Sequence, residues 1–380
     1  CHRKELVGQA SKTFDRFGIP YGIIASGSQP TPYKPVQVCS IQTLVNRVDR
    51  LKKPGLVVYD EAHHMASASW SKVKDMLPDS FHLGLTATPE RLDGKGLADY
   101  FQTMVLGPDA GFLIENGFLS KYRVFAPTTV NTSSVSTRAG DFAKDELSAL
   151  MDKPSITGDA VEHYLKLAAG KRALCFCVSV EHSKHVVEQF RANGVAATHV
   201  DGTTPPKERE HASKDFADGK IFILSNVELF GEGYDVPAAE VAILLRPTQS
   251  LALHLQQIGR VLRPAEGKEH AIILDHVGNC LRHGLPDTER QWSLQGRPKK
   301  AKGKKQETSE SVRQCPKCYG VMSARLLKCD YCSHVFEVKG REIEKKDGQL
   351  VEVDLRSERF KTRKEQGRAQ TFQELVNLGR

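Results

Sequence analysis

Apolar positions along the chain follow two periods. From Arg3 to Arg16 they recur at helical spacing (Leu6, Val7, Ala10, Phe14), and Gly18 with Pro20 ends the run. Tyr21 to Ala25, Val36 to Ser40, Leu56 to Tyr59 and His82 to Leu85 read instead as short strands. A breaker-rich loop, Gly27 to Pro35, separates the first two of these, and Gln42-Thr43-Leu44-Val45 opens a helix after the second. Strands alternating with helices predict βαβ units and a parallel sheet. The same alternation resumes after a polar stretch, Thr128 to Gly140, which reads as an exposed connection. Asp159 to Leu167 is amphipathic, Ala173 to Val178 is strand-like, and Ser179 is placed to cap a helix from Glu181 to Asn193 that Gly194 stops. Strands at Ala197 to Val200, Ile221 to Ser225, Val241 to Leu245 and Ile272 to Asp275 complete a second parallel sheet. The fold class expected is α/β with two parallel-sheet lobes.

A chain of 380 residues has room for such lobes. Lys and Arg, 54 together, exceed the 46 Asp and Glu by eight, a bias that suits a polyanionic partner. Much of it sits in Arg297-Pro298-Lys299-Lys300-Ala301-Lys302-Gly303-Lys304-Lys305, a cationic run that cannot bury a core and reads as a flexible spacer or a phosphate-binding tether. The sequence has no apolar run of about 18 residues and no signal-peptide pattern at its start, which predicts a soluble, cytoplasmic protein.

Five of the nine cysteines (Cys1, Cys39, Cys175, Cys177, Cys280) are scattered and read as reduced, buried, small hydrophobes. The other four form a set. Cys315-Pro316-Lys317-Cys318 and Cys329-Asp330-Tyr331-Cys332 are two C-x-x-C knuckles separated by ten residues, the spacing of a zinc ribbon, and a reducing compartment disfavours the disulfide alternative. Lys317, Tyr319, Arg325 and Lys328 are available to grip nucleic acid, or the ribbon could dock a protein. Beyond Val338 the chain is charged. An Arg and Lys run from Arg356 to Arg368 precedes a short terminal helix that opens with the capping box Thr371-Phe372-Gln373-Glu374.

The chemistry centres on Leu56-Val57-Val58-Tyr59-Asp60-Glu61-Ala62-His63. A continuous apolar run predicts a strand buried on both faces, and ligands of open α/β sheets gather beyond the carboxyl ends of such strands. Asp60 is then placed to hold Mg²⁺ and Glu61 to orient and deprotonate an attacking water. Two further stretches fit a phosphate site. Asn226 to Pro237 carries Gly231-Glu232-Gly233 and Asp235 after a buried strand, and Gln256-Gln257-Ile258-Gly259-Arg260-Val261-Leu262-Arg263 puts two arginines on one helical face.

Asp60-Glu61-Ala62-His63 followed by Thr86-Ala87-Thr88 resembles motifs II and III of superfamily 2 helicases of the DEAD/DEAH type. Asn226 to Pro237 resembles motif V of that family, and Gln256 to Arg263 its motif VI. With the ribbon, the set looks most like the RadD-like bacterial and prophage branch. The resemblance implies two RecA-like lobes with ATP between them. Asp60, His63, Gly233, Asp235, Gln256, Arg260 and Arg263 would bind the magnesium nucleotide, and Asp60, Glu61, Arg260 and Arg263 would act in its hydrolysis. His2, Arg3, Gln42, Thr43, Thr86, Thr88, Asp201, Gly202 and Asn226 would face nucleic acid, DNA rather than RNA. The cofactors implied are ATP, Mg²⁺ and Zn²⁺, with Cys315, Cys318, Cys329 and Cys332 as the zinc ligands. Expected boundaries are a first lobe at 1–127, a connection at 128–145, a second lobe at 146–290, a basic linker at 291–312, the ribbon at 313–338 and a charged tail at 339–380.

In one respect the sequence departs from the family: it contains no G-x-x-x-x-G-K-[ST] phosphate loop. Together with Cys1 in place of Met, this reads as a chain entered part-way through its first lobe, so ATP hydrolysis is expected of the intact gene product. The activity expected is that of an ATP-dependent DNA helicase in repair or phage replication. The alternatives are a duplex translocase that does not separate strands, and a non-catalytic nucleic-acid binder that uses the ribbon and the basic run.

Overall fold

The computed structural model describes residues 1, 4–29, 31–91, 94–127, 130–138, 140–229, 239–296 and 311–337. The chain divides into a unit Cys1–Phe336 and a unit Glu337–Arg380. The basic run and the charged tail with its terminal helix lie outside the described residues.

The first lobe begins with α1 (Lys4–Arg16), whose periodic face places Val7 against Ala25 and Val38. These belong to the parallel pair β1 (Tyr21–Ile24) and β2 (Val36–Cys39) and its end, in register from Tyr21↔Val36 to Ile24↔Cys39. Cys1 runs beside the end of β2: its nitrogen donates to Cys39 O at 3.0 Å and its carbonyl accepts from Ile41 N at 2.8 Å. A short helix follows, α2 (Ile41–Leu44). Next come β3 (Leu56–Asp60), α3 (Ala68–Asp75) and β4 (Phe81–Leu85), with β3 and β4 parallel from Leu56↔Phe81 to Asp60↔Leu85. Tyr59, Ala62, Met65, Trp70 and Val73 build the core under β3.

The other face of β3 corrects the expectation of burial on both sides. Leu56 and Val58, with Phe81, Leu83 and Leu85 of β4, are exposed. Among the described residues β4 is the sole partner of β3, and only the Tyr59 face is packed.

The second lobe is a six-stranded parallel sheet in the order β5-β12-β11-β8-β10-β9. Its strands are β5 (Tyr122–Phe125), β8 (Ala173–Phe176), β9 (Ala197–Val200), β10 (Ile223–Asn226), β11 (Val241–Leu244) and β12 (Ala271–Asp275). Alternate residues feed two cores: Leu174, Leu224, Leu244 and Ile273 on one face, Cys175, Ile223, Ile243 and Leu274 on the other. Its helices are α5 (Lys144–Met151), α6 (Pro154–Leu167), α7 (Val180–Ala192), α8 (Pro206–Ala217), α9 (Leu251–Gly259) and α10 (Asn279–His283), and the short α4 (Ala110–Glu115) precedes β5. Ser179 caps α7 as expected, accepting from His182 N at 3.2 Å.

Two boundaries differ from the sequence reading. Tyr122–Phe125, expected to close the first lobe, pairs with β12 as the edge of the second sheet. The polar connection is likewise fastened to the second lobe, through a hairpin of β6 (Thr137–Arg138) and β7 (Asp141–Phe142) whose Asp141 accepts from Gln249 N at 2.7 Å and Thr248 Oγ1 at 2.9 Å. After α10, Arg290 ties the chain down by donating to the carbonyls of Leu285 and Thr288 at 2.8 and 2.7 Å. The chain then returns to the first lobe, where Leu294 O accepts from Ala98 N at 2.9 Å and Gly296 bridges to Lys95.

The ribbon, built on the antiparallel pair β13 (Val312–Gln314) and β14 (Val321–Ser323), sits on the outer edge of β5. Gly320 bridges to Phe125, Ala126 N donates to Tyr319 O at 3.0 Å, and Val124 N donates to Tyr331 Oη at 3.2 Å. The Tyr331 and Phe125 rings lie 5.2 Å apart, and Val321 joins the core of the second lobe.

Candidate nucleotide and nucleic-acid site

The acids follow β3 at its carboxyl end. Asp60 is half-buried, and Glu61 turns into the left-handed region (φ 56°, ψ 53°), which few non-glycine residues adopt without local support. The buried ring of His63 supplies it. His63 Nδ1 lies 3.4 Å from Glu61 Oε2 and 3.2 Å from Thr86 Oγ1. Thr86 Oγ1 in turn donates to Thr88 O and accepts from Thr88 N, both at 3.1 Å. Thr88 is 1 % exposed, and its own hydroxyl has no partner. Glu61, His63, Thr86 and Thr88 are thus one connected cluster, read in sequence as two separate motifs. Gln42 and Thr43 occupy the first turn after β2, where Gln42 Oε1 accepts from Ser40 Oγ at 2.8 Å. The His2-Arg3 pair lies outside the described residues.

In the second lobe Asp201 shapes the turn between β9 and α8. Its Oδ1 accepts from Thr203 N at 2.8 Å, Thr203 Oγ1 at 2.7 Å and Thr204 N at 2.9 Å. Burial alone would raise the carboxyl group, but donation from Thr203, His199 and the turn amides outweighs it and holds Asp201 well below the usual carboxylate range. Gly202 is exposed at the tip. His199 Nε2 lies 3.2 Å from Asp201 Oδ2, and its Nδ1 lies 2.6 Å from Ser183 Oγ, which is 2.6 Å from Ser225 Oγ on β10. Asn226, next along β10, is buried and donates to Cys175 O at 2.8 Å, so its side chain holds the strand end. Gly233 and Asp235 lie outside the described residues. Just before them Glu228 (φ 54°) pairs with Lys144 at 2.6 Å and Arg246 at 3.0 Å.

Gln256 is on α9, Arg260 is its C-cap, and Arg263 lies beyond the helix end. Gln256 and Arg260 are buried and Arg263 is half-buried, so this pair is not the solvated surface that two arginines on a helix usually form. Both polar atoms of the Gln256 amide are buried without a partner, an arrangement that water or ligand would satisfy.

The four ribbon cysteines converge with their sulfurs all within 4.8 Å of one another; Cys315 and Cys332 are 3.6 Å apart, as are Cys318 and Cys329. Tetrahedral Zn–S bonds of about 2.3 Å require sulfurs about 3.8 Å apart, so the set fits zinc. Burial opposes thiolate formation, yet the backbone N–H groups of Cys318 and Lys317 draw Cys315 down to about 7. Zinc, when bound, would supply the cross-link that such a small unit needs to fold.

Two parallel α/β lobes, a strand-end pair of acids on one and buried glutamine and arginine on the other, define the class of two-lobed nucleotide-driven motors. Residues 1–91 match the family model for the type III restriction enzyme res subunit, and 157–265 match the helicase conserved C-terminal domain. A 51.5 kDa protein of a Lactococcus phage is 35 % identical over 93 % of this chain and 74 % of its own. A Saccharomyces cerevisiae protein described as the ATP-dependent helicase IRC3 is 29 % identical over 73 % of this chain, which spans 42 % of it. A fragment described as an HsdR subunit of a type I restriction enzyme from Vibrio vulnificus shares the fold, with TM-score 0.56 and 20 % identity over 73 % of this chain and 54 % of that one. The chain belongs to the superfamily 2 helicases.

Proposed function

We propose that this chain belongs to an ATP-driven motor that translocates on DNA and separates its strands. Asp60 holds the magnesium ion of the nucleotide, and Glu61 orients and takes a proton from the attacking water. Arg260 and Arg263 reach the phosphate groups from the second lobe, a contribution of about 10³ to 10⁵ in rate for arginine fingers. Magnesium neutralises charge on the phosphate oxygens when bound. Gln42, Thr43, Thr86 and the Asp201-Gly202 turn contact the nucleic-acid backbone, whereas Thr88, expected among them, is buried and acts by holding the Thr86 hydroxyl through its backbone N–H and C=O. His2 and Arg3, Gly233 and Asp235 keep the roles that the family pattern implies for them.

The observation that carries this reading is the His63 bridge. It joins the water-activating Glu61 to Thr86 through contacts of 3.4 and 3.2 Å, so a change at the nucleotide is felt at the nucleic-acid loop. The phosphate-cradling loop is absent from this sequence, and turnover is assigned to a polypeptide in which such a loop accompanies these residues. DNA as the track is supported by the match of residues 1–91 to the restriction-enzyme family model. A place in phage replication or repair is part of this proposal and rests on the family resemblance, the 35 % identical relative being a phage protein. In the full-length protein, Glu61→Gln should retain Mg-ATP binding and lose at least about 10²-fold of the DNA-stimulated turnover. Wild-type turnover in that variant would remove Glu61 from the reaction. Strand separation assayed beside triplex displacement tests helicase against duplex translocase, since a translocase displaces the third strand and leaves the duplex intact.

A further inference from the structure

Lys268 follows the turn after Arg263, where Gly267 (φ 75°) reverses the chain. Its Nζ donates to three backbone carbonyls: Arg263 at 2.8 Å, Ala239 at 3.0 Å and, by a short contact, Val261. An ammonium group has three N–H donors, and here all three are used. On the other side of the same backbone, Ser120 Oγ donates to Arg263 O at 3.2 Å and Ser120 N to Leu262 O at 2.7 Å. We propose that Lys268 is a positioning residue for Arg263: its charged head fixes the backbone from which the guanidinium projects, so the reach of Arg263 depends on that head keeping all three protons.

This rests on the reading of Arg263 as a phosphate-directed arginine. The charged groups that face Lys268 are Glu240, at the approach to β11, and Lys171, before β8. These two pair with each other at 2.9 Å, so Glu240 offsets little of the burial. Burial therefore dominates and brings the Lys268 ammonium down from 10.5 to about 8. Between these values the unfolded chain binds the proton and the folded chain does not, so rising pH in that window does not destabilise the fold. It removes one donor from the cage and turns a lone pair toward a carbonyl oxygen. The loss is one of position, not of folding.

The test is the pH dependence of kcat in the full-length protein for wild type, Lys268→Arg, Lys268→Met and Arg263→Ala, with thermal unfolding followed alongside. Wild type should lose turnover with a midpoint at about pH 8 while its Tm does not fall. Lys268→Met should be down on the order of 10²-fold at neutral pH, with no such alkaline limb, because a displaced catalytic group costs about that much. Lys268→Arg, whose charge persists, should also lack the limb. A Lys268→Met protein with wild-type kcat and an unchanged limb overturns the proposal. If Lys268→Met does not fold, a wild-type limb in Lys268→Arg overturns it instead. Wild-type turnover in Arg263→Ala would sink the reading of Arg263 itself, whereas an inactive Arg263→Ala beside a normal Lys268→Met sinks only the role of Lys268.

Discussion

Gly96 and Gly296 pack backbone against backbone. A Cβ on Gly296 would fall 2.3 Å from the Gly96 nitrogen, and one on Gly96 would fall 1.8 Å from Leu294 O. The contact joins the segment after the Thr86-Ala87-Thr88 loop to the strap that leaves the second lobe, so it limits how the lobes separate. Gly296 also has φ 79°, which strains any other residue. Gly296→Ala should cost about 1–3 kcal/mol in urea unfolding. It should also remove the hydrogen-exchange protection of the Ala98 amide, whose acceptor is Leu294 O. Gln295→Ala, which removes an exposed side chain beside it, should leave that protection unchanged.

Metal removal should be felt in the second lobe. The residues that fasten the ribbon to β5, Gly320 and Tyr331, lie within two positions of Cys318 and Cys332, so zinc orders the groups that cover the sheet edge. A chelator should expose the Val124 and Ala126 amides to exchange while β3 and β4 keep their protection. Gly320→Ala puts a Cβ 2.2 Å from the Tyr331 ring and should destabilise the zinc-loaded protein by about 1–3 kcal/mol. Metal analysis that found no zinc, with all four thiols titratable in the native protein, would end the assignment.

How much of this could be read in advance depended on whether the deciding contact was local. The Ser179 cap, the strands of the second sheet and the four-cysteine set are decided by neighbours in sequence, and they are found as expected. The edge position of Tyr122–Phe125 depends on β12 and on the ribbon far along the chain, and an apolar run carries no mark of its partner. The open face of β3 escaped for the same reason. Lys268 was missed although a signal existed: a glycine four residues after Arg263, followed by a lysine, marks a reversal that brings a cation back beneath the arginine. The His199–Ser183 link left no sequence signal, because its members come from β9 and α7.

Acid should weaken the second lobe through His182. Its ring is fully buried with neither nitrogen partnered, and burial lowers it from 6.5 to about 4. Since the folded value lies below the unfolded one, the unfolded chain binds more protons between these values, and stability is lost as pH falls through that window. The loss attributable to His182 between pH 7 and pH 5 is about 2 kcal/mol. Urea midpoints at the two pH values should show it, and His182→Leu, which leaves no group to protonate, should reduce the difference by that amount.

Asp201 offers a test in which stability and nucleic-acid binding are read together. Its carboxylate takes the amides and hydroxyls of Thr203 and Thr204, and these bonds shape the exposed tip at Gly202. Asp201→Ala removes an acceptor from several donors at once and should cost about 2 kcal/mol in urea unfolding. Because it adds no cation and removes none, the slope of binding against salt should stay as in wild type. A disordered tip should still lower affinity for single-stranded DNA by about tenfold at every salt concentration, measured by fluorescence anisotropy. Wild-type affinity in a variant with the expected loss of stability would show that the turn only holds α8 in place. The nucleic-acid contact of the second lobe would then have to lie elsewhere.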